Sequence, residues 1–499
     1  MKVIVIGSGV AGLTAALTLL RKGYQVEIFE QADQPGGVTG GYEANGYLWD
    51  YGQLNAEGFG PDEPTGQVLS ALGVLDKIQT TPDNREYIFP DFGIRIPKEY
   101  AGLYWRMQRL KELFPEEQKG LDRYWRDFVR FTHMMTLARR LETAGLGDKL
   151  AFYLALLPLL PKKDWSAERL MDHYFDSEKL KAVFISILAD FFIPPSQFLG
   201  LGVFALNAET TFERRMPTQL ARNTVMLQLH TLIGGMRTLV RAMVDQIQAA
   251  GGVLHTGYAV SHIHVQDGAV TGVTANGQDF TCERLVVSGG ARETLLDLVD
   301  EGTWPAEFES KVRSIPLMDS VFMLHLGIDY DPSEHLHTVS TYFYGSYDIE
   351  GEVRRAHSGQ YHEGAAGFVV HFPTLRSPEM APQGRHALTI YTICPDTLSE
   401  GDWESRKEEY ARKLLEHADR HIPGLSGHVV EQHIITPVEL RALTHLKHHA
   451  FGGIAPVMNA WQVPHKTPIE GLWFIGQQSV SGGGINAVIP AAHRAAKQL

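Results

Sequence analysis

The sequence contains very little cysteine. Cys282 and Cys394 are the only two among 499 residues, and they lie far apart in the chain. Two cysteines exclude a disulfide framework and any four-cysteine zinc or iron–sulfur site, so a reducing compartment is the default. Long apolar runs are lacking too, since no stretch reaches the roughly 20 apolar residues of a membrane-spanning helix. The apolar start, residues 1–20, is interrupted by three glycines and a serine and lacks the pattern of a signal peptide, so we predict a cytoplasmic protein.

Positive charge is in deficit. The formal net charge is −13, from 45 Lys and Arg against 58 Asp and Glu. Nucleic-acid binding needs clustered Lys and Arg that release counterions from phosphates, so this balance predicts no nucleic-acid partner. The hydrophobic share of 44% and the charged share of 21% are ordinary for a globular enzyme. A chain of 499 residues is too long for one compact core and suits two packed domains.

Histidine is abundant, with 22 residues in the chain. His445, His448 and His449 lie close together, and their spacing can present two ligands on one helical face. No acidic partner accompanies them in a recognised metal pattern. We interpret them as surface or pocket histidines and predict no metal site.

The first thirty residues carry a nucleotide-binding pattern. Residues 3–6 form a short β-branched run, typical of a strand buried on both faces. The run Gly7-Ser8-Gly9-Val10-Ala11-Gly12 follows at once and reads GxGxxG. Residues 13–22 have helical composition, and residues 25–29 form a second apolar strand that ends at Glu30. The order strand, glycine turn, helix, strand and acid predicts a βαβ unit that holds a dinucleotide.

Each part of this unit has a physical role. Gly7 permits the tight turn, Gly9 lets the backbone approach the diphosphate, and Gly12 lets the helix pack closely on the strand. The diphosphate lies at the helix N-terminus, where free N–H groups and the macrodipole favour negative charge. Glu30 can accept hydrogen bonds from both ribose hydroxyls. Residues 32–37, ADQPGG, add a paired-glycine loop beyond the acid, which extends the phosphate-binding surface as FAD requires.

Two further segments fit the same domain. Residues 234–250 begin with a glycine pair and continue as an amphipathic helix, and a strand-like stretch follows from residue 253 to about 265. Near the C-terminus, the strand 472–476 leads to a glycine-rich turn at 481–484 and then to a final helix with a face of small residues. The N-terminus of that helix can place its positive end near the flavin.

Together with residues 43–52, EANGYLWDYG, these motifs resemble the phytoene desaturase and flavin amine oxidase superfamily, including carotenoid isomerases and retinol saturases. The resemblance is strongest over residues 1–60 and 450–499 and only general over 96–220. Many members carry Arg or Lys where this chain has Val38, so no cationic contact is carried over there. The resemblance implies non-covalently bound FAD. The implied contacts are Gly7, Ser8, Gly9, Val10, Ala11, Gly12, Glu30, Gln31, Gly36, Gly37, Val38, Gly52, Val260 (on the adenine side), Gly476, Gly484, Ile485 and Asn486.

The flavin segments are separated along the chain, so we expect a discontinuous domain. The expected fold class is α/β, with a Rossmann-type FAD-binding domain and an inserted α+β substrate domain. The FAD-binding domain takes residues 1–95, 225–305 and 450–499, and the substrate domain, with a helical cap, takes 96–224 and 306–449.

Residues 151–160 form the most apolar internal run, and Lys149, Lys162 and Lys163 flank it. The run is too short to span a bilayer. Two interpretations stay open: a core helix that roofs the substrate cavity, or peripheral membrane contact through residues 149–163, with the lysines near anionic headgroups.

The resemblance also implies a function. It indicates an FAD-dependent oxidoreductase that acts on C–C bonds of a hydrophobic polyene, carotenoid- or retinoid-like, by desaturation, saturation or flavin-mediated cis–trans isomerisation. A flavin amine oxidase and a non-catalytic flavin- or lipid-binding protein remain as alternatives. No general acid or base is assigned, and the oligomeric state is left open. Asp50, Glu439, Arg441 and the histidines of 445–449 are candidates by position only, and an ion pair or a solvated face is the favoured interpretation.

Overall fold

A computed structural model describes residues 1–99, 102, 105–138, 145–207 and 228–499 of the chain. The strands are β1 Lys2–Ile6, β2 Gln25–Phe29, β3 Gly41–Ala44, β4 Tyr47–Asp50, β5 Ala56–Glu57, β6 Thr80–Asp83, β7 Arg85–Ile88, β8 Gly93–Ile94, β9 Leu229–Leu232, β10 Val253–His255, β11 Val260–Gln266, β12 Ala269–Ala275, β13 Gln278–Thr281, β14 Arg284–Ser288, β15 Ser320–Ile328, β16 Ser340–Tyr344, β17 Gly367–His371, β18 His386–Cys394, β19 Val429–Ile435 and β20 Leu472–Ile475. The α-helices are α1 Val10–Arg21, α2 Pro64–Ala71, α3 Trp105–Leu113, α4 Gln118–Ala138, α5 Leu146–Leu156, α6 Ala167–Tyr174, α7 Glu178–Ile185, α8 Gly202–Leu206, α9 Arg237–Ala249, α10 Ala291–Leu295, α11 Ala306–Arg313, α12 Ile349–His357, α13 Trp403–Asp419, α14 Pro437–Thr444 and α15 Ile485–Gln498.

A five-stranded parallel sheet in the order β10-β2-β1-β14-β20 forms the centre of the first domain. Because side chains alternate along a strand, β1 serves two cores. Val3 and Val5 pack into the cluster that holds α1, α9 and α15. Ile4 packs on the opposite face, with residues of the antiparallel sheet β11-β12-β13 such as Ile263. This is the predicted α/β arrangement of Rossmann type.

The strand-like stretch predicted from residue 253 to about 265 is two strands. β10 pairs in parallel with β2, whereas β11 begins at Val260 and pairs antiparallel with β12. Between them Gly257 adopts φ +69°, a conformation that L-residues rarely adopt, and its N–H donates to the carbonyl oxygen of Ala32. The chain therefore turns at Gly257 and changes sheets.

A seven-stranded sheet in the order β19-β15-β18-β17-β16-β7-β8 forms the centre of the second domain. β15 is buried along its whole length: Phe322 and Leu324 pack towards α13, and Val321 and Met323 pack towards the helical layer. β7 and β8 enter this sheet because β7 pairs in parallel with β16. This long-range pairing places residues 85–94 in the second sheet, whereas the boundary at residue 95 had placed them with the FAD-binding segments; the domain boundaries stay a prediction.

The helices α3 to α8 form the layer over this second sheet, in the described part of residues 96–224. None of the helices in the described ranges combines the length and apolar composition of a bilayer-spanning segment. Cys282 and Cys394 are both buried and free.

Candidate flavin site

The N-terminal glycine turn is held by close packing at two of its three glycines. Gly7 adopts φ +89°, and a Cβ there would overlap the carbonyl oxygen of Ser288. A Cβ at Gly12 would overlap the carbonyl oxygen of Gly7. Gly9 differs, because its φ of −62° suits any residue and no atom of the described residues lies within 4 Å of a Cβ built there. Gly9 therefore borders open space at the start of α1.

The N-terminus of α1 is available to an anion. Gly9 is its N-cap residue, and no side chain of the described ranges caps the helix there. The first N–H groups of a helix have no intrahelical acceptor and carry the positive end of the macrodipole. Val10 and Ala11 begin this helix and are buried against its neighbours, so the free N–H groups are the feature that faces the space at Gly9.

Glu30 binds the same turn from the end of β2. Its side chain is buried, and one carboxylate oxygen accepts hydrogen bonds from the Ser8 N–H at 2.8 Å and the Ser8 hydroxyl at 2.7 Å. The other oxygen accepts from the Ala32 N–H at 2.9 Å. These bonds fix the acid beside the glycine turn. The neighbouring Gln31 is exposed.

The paired-glycine loop folds back onto this turn. The Gly36 N–H donates to the Ser8 carbonyl oxygen at 3.0 Å, and Gly36 forms an isolated bridge with Gly9. Gly36 and Gly37 both adopt positive φ, +120° and +54°, so glycine is needed at each.

A second contact ties the loop to the hairpin β3–β4. The carbonyl oxygen of Val38 accepts hydrogen bonds from Gly52 and Gln53. The structure thus brings the predicted residues of 36–38 and 52 to the GxGxxG turn.

The C-terminal motif lies beside the N-terminal one. At the end of β20, a Cβ on Gly476 would be 3.8 Å from the Cβ of Ala11. Helix α15 begins after Gly484, whose φ is +87°, and no described side chain caps it. The Asn486 side chain turns back towards Gly484, and Ile485 is buried.

Helices α15 and α1 run side by side in the same direction. Thr18 on α1 and His493 on α15 share a hydrogen bond of 2.8 Å, and Lys22 donates to the carbonyl oxygen of Lys497 at 2.9 Å. Each pair sits at the same distance along the two helices, so both uncapped N-termini lie at one end. Two such termini make that end strongly favourable for negative charge.

Val260 lies near Glu30 through the backbone of the preceding turn. The Tyr258 N–H donates to the carbonyl oxygen of Glu30 at 2.8 Å, two residues before β11 begins at Val260. The predicted adenine-side residue is therefore at the same sheet edge as the acid. Its contact with the cofactor stays a prediction.

The predicted polar candidates have structural partners. Asp50 is buried, and it accepts a hydrogen bond from the Met236 N–H at 2.8 Å, at the start of α9. Burial raises the pKa of Asp50 to about 7. Glu439 forms a capping box with Thr436 at the start of α14. Arg441 forms an ion pair with Asp396 at 2.8 Å.

His448 and His449 have structural contacts as well. His448 Nε2 donates to the Met318 carbonyl oxygen at 2.9 Å, and its Nδ1 lies 3.4 Å from the Asp396 carboxylate. Burial lowers the pKa of His449 to about 3. Across the described residues, no group of three or more His, Cys, Asp or Glu is arranged to hold a metal ion. The contacts of Asp50, Glu439, Arg441, His448 and His449 are in keeping with a structural role for these side chains.

The sequence led us to expect a substrate cavity, but it did not indicate which residues of the second domain line one. The structure contains a partly open cavity of about 50 Å³ between the sheet β16-β17-β18 and the helical layer. Its lining is mainly aromatic and aliphatic, and it includes Ala189, Asp190, Phe192, Tyr342, Tyr344, Ile349, Glu352, Val353, Ala356, His362, Phe368, Val369, Tyr391, Thr392 and Ile393. The alternation of Tyr342 and Tyr344 along β16 places them on one face, but no sequence signal indicates that this face meets a cavity.

The cavity adjoins the C-terminal glycine motif through one aromatic side chain. The ring of Tyr391 lies 6.2 Å from the ring of Phe451. A Cβ on Gly483 would overlap the carbonyl oxygen of Gly452, so the segment after Phe451 is pressed against the turn before α15. The two uncapped helix ends and the aromatic cavity are therefore neighbours.

These features fit FAD. The open space at Gly9 and the uncapped α1 N-terminus would hold a diphosphate, and the Glu30 carboxylate would hold a ribose. The uncapped α15 N-terminus would favour negative charge on the ring system. The individual contacts remain predictions.

Comparison with known proteins agrees with this reading. The sequence model of the family described as "Flavin containing amine oxidoreductase" matches residues 10–499. Prolycopene isomerase 1, chloroplastic, from an Oncidium hybrid cultivar is 24% identical and aligns over 99% of this chain and 84% of its own length. Phytoene desaturase (lycopene-forming) from Pantoea ananas is 22% identical and aligns over 98% of this chain and 96% of its own.

Solved structures share the fold. An oxidoreductase from Methanosarcina mazei superposes with a TM-score of 0.64 at 17% identity, with 100% of both chains covered. Cyclohexylamine oxidase from Brevibacterium oxydans gives a TM-score of 0.60 at 14% identity, covering 100% of this chain and 98% of that one. At these identities the likeness extends to the fold alone.

Proposed function

Because the chain belongs to the flavin containing amine oxidoreductase family and is an FAD-dependent oxidoreductase, we propose that it acts on C–C bonds of an apolar polyene of the isoprenoid type. The reaction is a desaturation, a saturation or a redox-neutral cis–trans isomerisation. Relatives named as a prolycopene isomerase and a phytoene desaturase support this choice over nearly the whole chain. The observation that carries it is the aromatic cavity beside the flavin site.

The cavity wall suits a conjugated hydrocarbon. Such a molecule has almost nothing to hydrogen-bond, so it is recognised by apolar surface and shape. Tyr342 and Tyr344 line the cavity, and both contact the ring of Tyr87, which is buried and not among the lining residues, with centroids 5.2 and 6.3 Å apart. Aromatic rings in such a wall offer large flat surfaces against which a planar chain can stack.

The protein residues have distinct roles in this proposal. The turn from Gly7 to Gly12 and the acid Glu30 hold the ADP part, and the α15 N-terminus stabilises negative charge on the ring system. When bound, FAD supplies hydride or single-electron exchange with a C–C unit. The cavity wall orients the substrate and excludes water, and no described side chain is needed as a general acid or base.

Turnover of polyenes tests the proposal. Protein loaded with FAD is mixed with candidate polyenes in two samples, one with the flavin oxidised, which can accept electrons in a desaturation, and one with the flavin reduced anaerobically, which can support saturation or isomerisation. The products are separated by chromatography with absorbance detection. We expect a polyene product with a changed number or geometry of double bonds. Turnover of amines with release of peroxide, and no polyene product, would establish the amine oxidase alternative instead. Polyene binding with no product under oxidising or reducing conditions would indicate a carrier.

Peripheral membrane contact is a further part of the proposal. The inner face of α5 packs on the core through Ala155, while its outer face exposes Leu146, Leu150 and Leu154 by 89, 61 and 62%. Leu157, directly after the helix, is 63% exposed. Lys149 on the same helix is exposed. Apolar side chains flanked by lysines suit the interface of an anionic bilayer, from which a polyene can enter the adjoining helical layer.

Vesicle flotation tests this contact. We expect the wild type to float with anionic vesicles and the triple variant Leu150→Ser/Leu154→Ser/Leu157→Ser to remain in the dense fraction. The matched control is Val430→Ser/Val438→Ser, which removes exposed apolar side chains from another surface and should float like the wild type. Equal flotation of the triple variant and the wild type, or none by either, would exclude the contact.

A further inference from the structure

The apolar cavity contains a carboxylate that has no hydrogen-bond partner among the described residues. Asp190 lies on the short 3-10 helix Ser186–Phe191 and lines the cavity with its side chain. Burial raises its pKa to about 7, with Arg85 acting in the opposite direction. Asp190 is partly buried, and a carboxylate without a partner is unfavourable in an otherwise apolar wall. Its presence there points to a polar group on the ligand.

Hydroxyl groups surround this carboxylate. Asp190 is close enough to Tyr342, Tyr344 and Tyr391 that its charge raises the pKa of each of them further. The hydroxyl of Tyr344 is buried and has no hydrogen-bond partner in the described part of the chain. Among the described residues, the cavity lining therefore presents an acceptor and a hydroxyl that both lack a hydrogen-bond partner.

The charge on Arg85 is engaged elsewhere. Its guanidinium forms an ion pair with Glu57 at 2.6 Å and lies 5.6 Å from the centre of the Tyr342 ring. It contributes positive potential near Asp190, which disfavours a cationic ligand. A carboxylate ligand would be repelled by ionised Asp190, and an ammonium ion would lose its hydration in an apolar wall.

We propose that Asp190 and Tyr344 bind a hydroxyl group carried by an otherwise apolar substrate. A hydroxyl is neutral, donates one hydrogen bond to Asp190 and accepts one from Tyr344, so it satisfies both groups at once. This inference rests on the proposed function and narrows its substrate to a hydroxylated polyene. Asp190 and Tyr344 select the substrate and lie in the binding wall, and they take no part in the electron transfer.

Paired ligands test this selection. The probes are a polyene hydrocarbon and its terminally hydroxylated analogue with the same carbon skeleton, and binding is read from the shift of the polyene absorption band. We expect the FAD-loaded wild type to bind the hydroxylated probe about 10- to 100-fold more tightly, as one hydrogen bond to a charged group provides. Asp190→Leu should bring the ratio of the two dissociation constants to about one, and Tyr344→Phe should lower it partly. Asp190→Asn retains an acceptor and should restore part of the preference.

The outcomes separate the inference from the proposed function. Circular dichroism and bound-flavin absorbance first establish that each variant is folded. An unchanged ratio in Asp190→Leu, or no preference in the wild type, would overturn the hydroxyl site while polyene turnover still supports the function. Tighter binding of an amine-ended analogue than of the hydroxylated probe would show that the site binds a cationic group instead of a hydroxyl, and would overturn the inference. Failure of the wild type to bind or convert either polyene would overturn the proposed function, and the inference with it.

Discussion

Alanine at Gly9 is expected to separate cofactor binding from folding. The backbone at Gly9 has φ −62° and ψ 167°, which alanine adopts without strain, and the added methyl group meets no described protein atom within 4 Å. Glycine is preferred over alanine at a helix N-cap by roughly 0.5–1 kcal/mol, so the apoprotein should lose no more than about 1 kcal/mol of folding free energy. The methyl group instead enters the space where a diphosphate would approach the N–H groups of α1.

The size of the binding defect follows from the hydrogen bonds lost. Hydrogen bonds to a charged group contribute about 1.5–3 kcal/mol each, and a displaced phosphate loses at least one. With about 1.4 kcal/mol per tenfold change, FAD should bind about 10- to 100-fold more weakly. The measurement is a titration of apoprotein with FAD, followed by flavin fluorescence, beside a urea denaturation of the same apoprotein.

Two other glycine variants serve as controls for Gly9→Ala. Gly12→Ala places its methyl group against the Gly7 carbonyl oxygen, so it should lower folding stability by about 1–3 kcal/mol or more through overpacking. Gly427→Ala lies on the surface of the second domain with no described atom within 4 Å, and it should change neither quantity. Wild-type FAD affinity in Gly9→Ala would refute the reasoning, as would an affinity loss matched by an equal loss of apoprotein stability.

Three further predictions concern buried polar groups. Glu30→Gln replaces one of the acceptor oxygens that hold Ser8 and Ala32 with a donor, so FAD should bind about tenfold or more weakly in the same titration; unchanged affinity would contradict the role of Glu30. Thr436→Ala removes the cap of α14 and should cost about 1 kcal/mol in urea denaturation while flavin absorbance is retained, and loss of flavin without loss of stability would argue against a purely structural capping box. The pKa of Asp190 is raised from 3.8 to about 7, so the carboxyl favours folding when neutral and this contribution is lost as pH rises from about 4 through 7. Asp190→Asn should therefore stabilise the protein at pH 8 by up to about 4 kcal/mol, and much less at pH 4.5, in thermal unfolding; a gain independent of pH would show that ionisation of Asp190 is not the cause.

Local motifs could be predicted because their physics is local. The GxGxxG turn, the helix after Gly235 and the hairpin at Asn45-Gly46 each depend on a few neighbouring residues. Asn45 and Gly46 both adopt positive φ, +51° and +80°, as a tight hairpin turn requires. The sequence also indicated the family, because these motifs occur in a fixed order along the chain.

Other features depended on contacts between distant segments. The assignment of residues 85–94 to the second sheet rests on the pairing of Arg85 with Ser340. The sequence could not predict this pairing, because a short strand has the same residue pattern whichever sheet it joins. The exposed outer face of α5 could not be told from a buried face, because its residues are apolar on both sides.

The sequence by itself determined the dinucleotide-binding unit, the family and the flavin. These depend on the backbone conformation at glycines and on the position of one acid, and both are set by residues that lie close together in the sequence. Only the tertiary structure decided what the second domain encloses. Asp190, Tyr344 and Tyr391 come from three separate segments and share a cavity because a helical layer closes over a sheet. Whether a buried polar side chain has a hydrogen-bond partner can be judged only when the positions of all its neighbours are known.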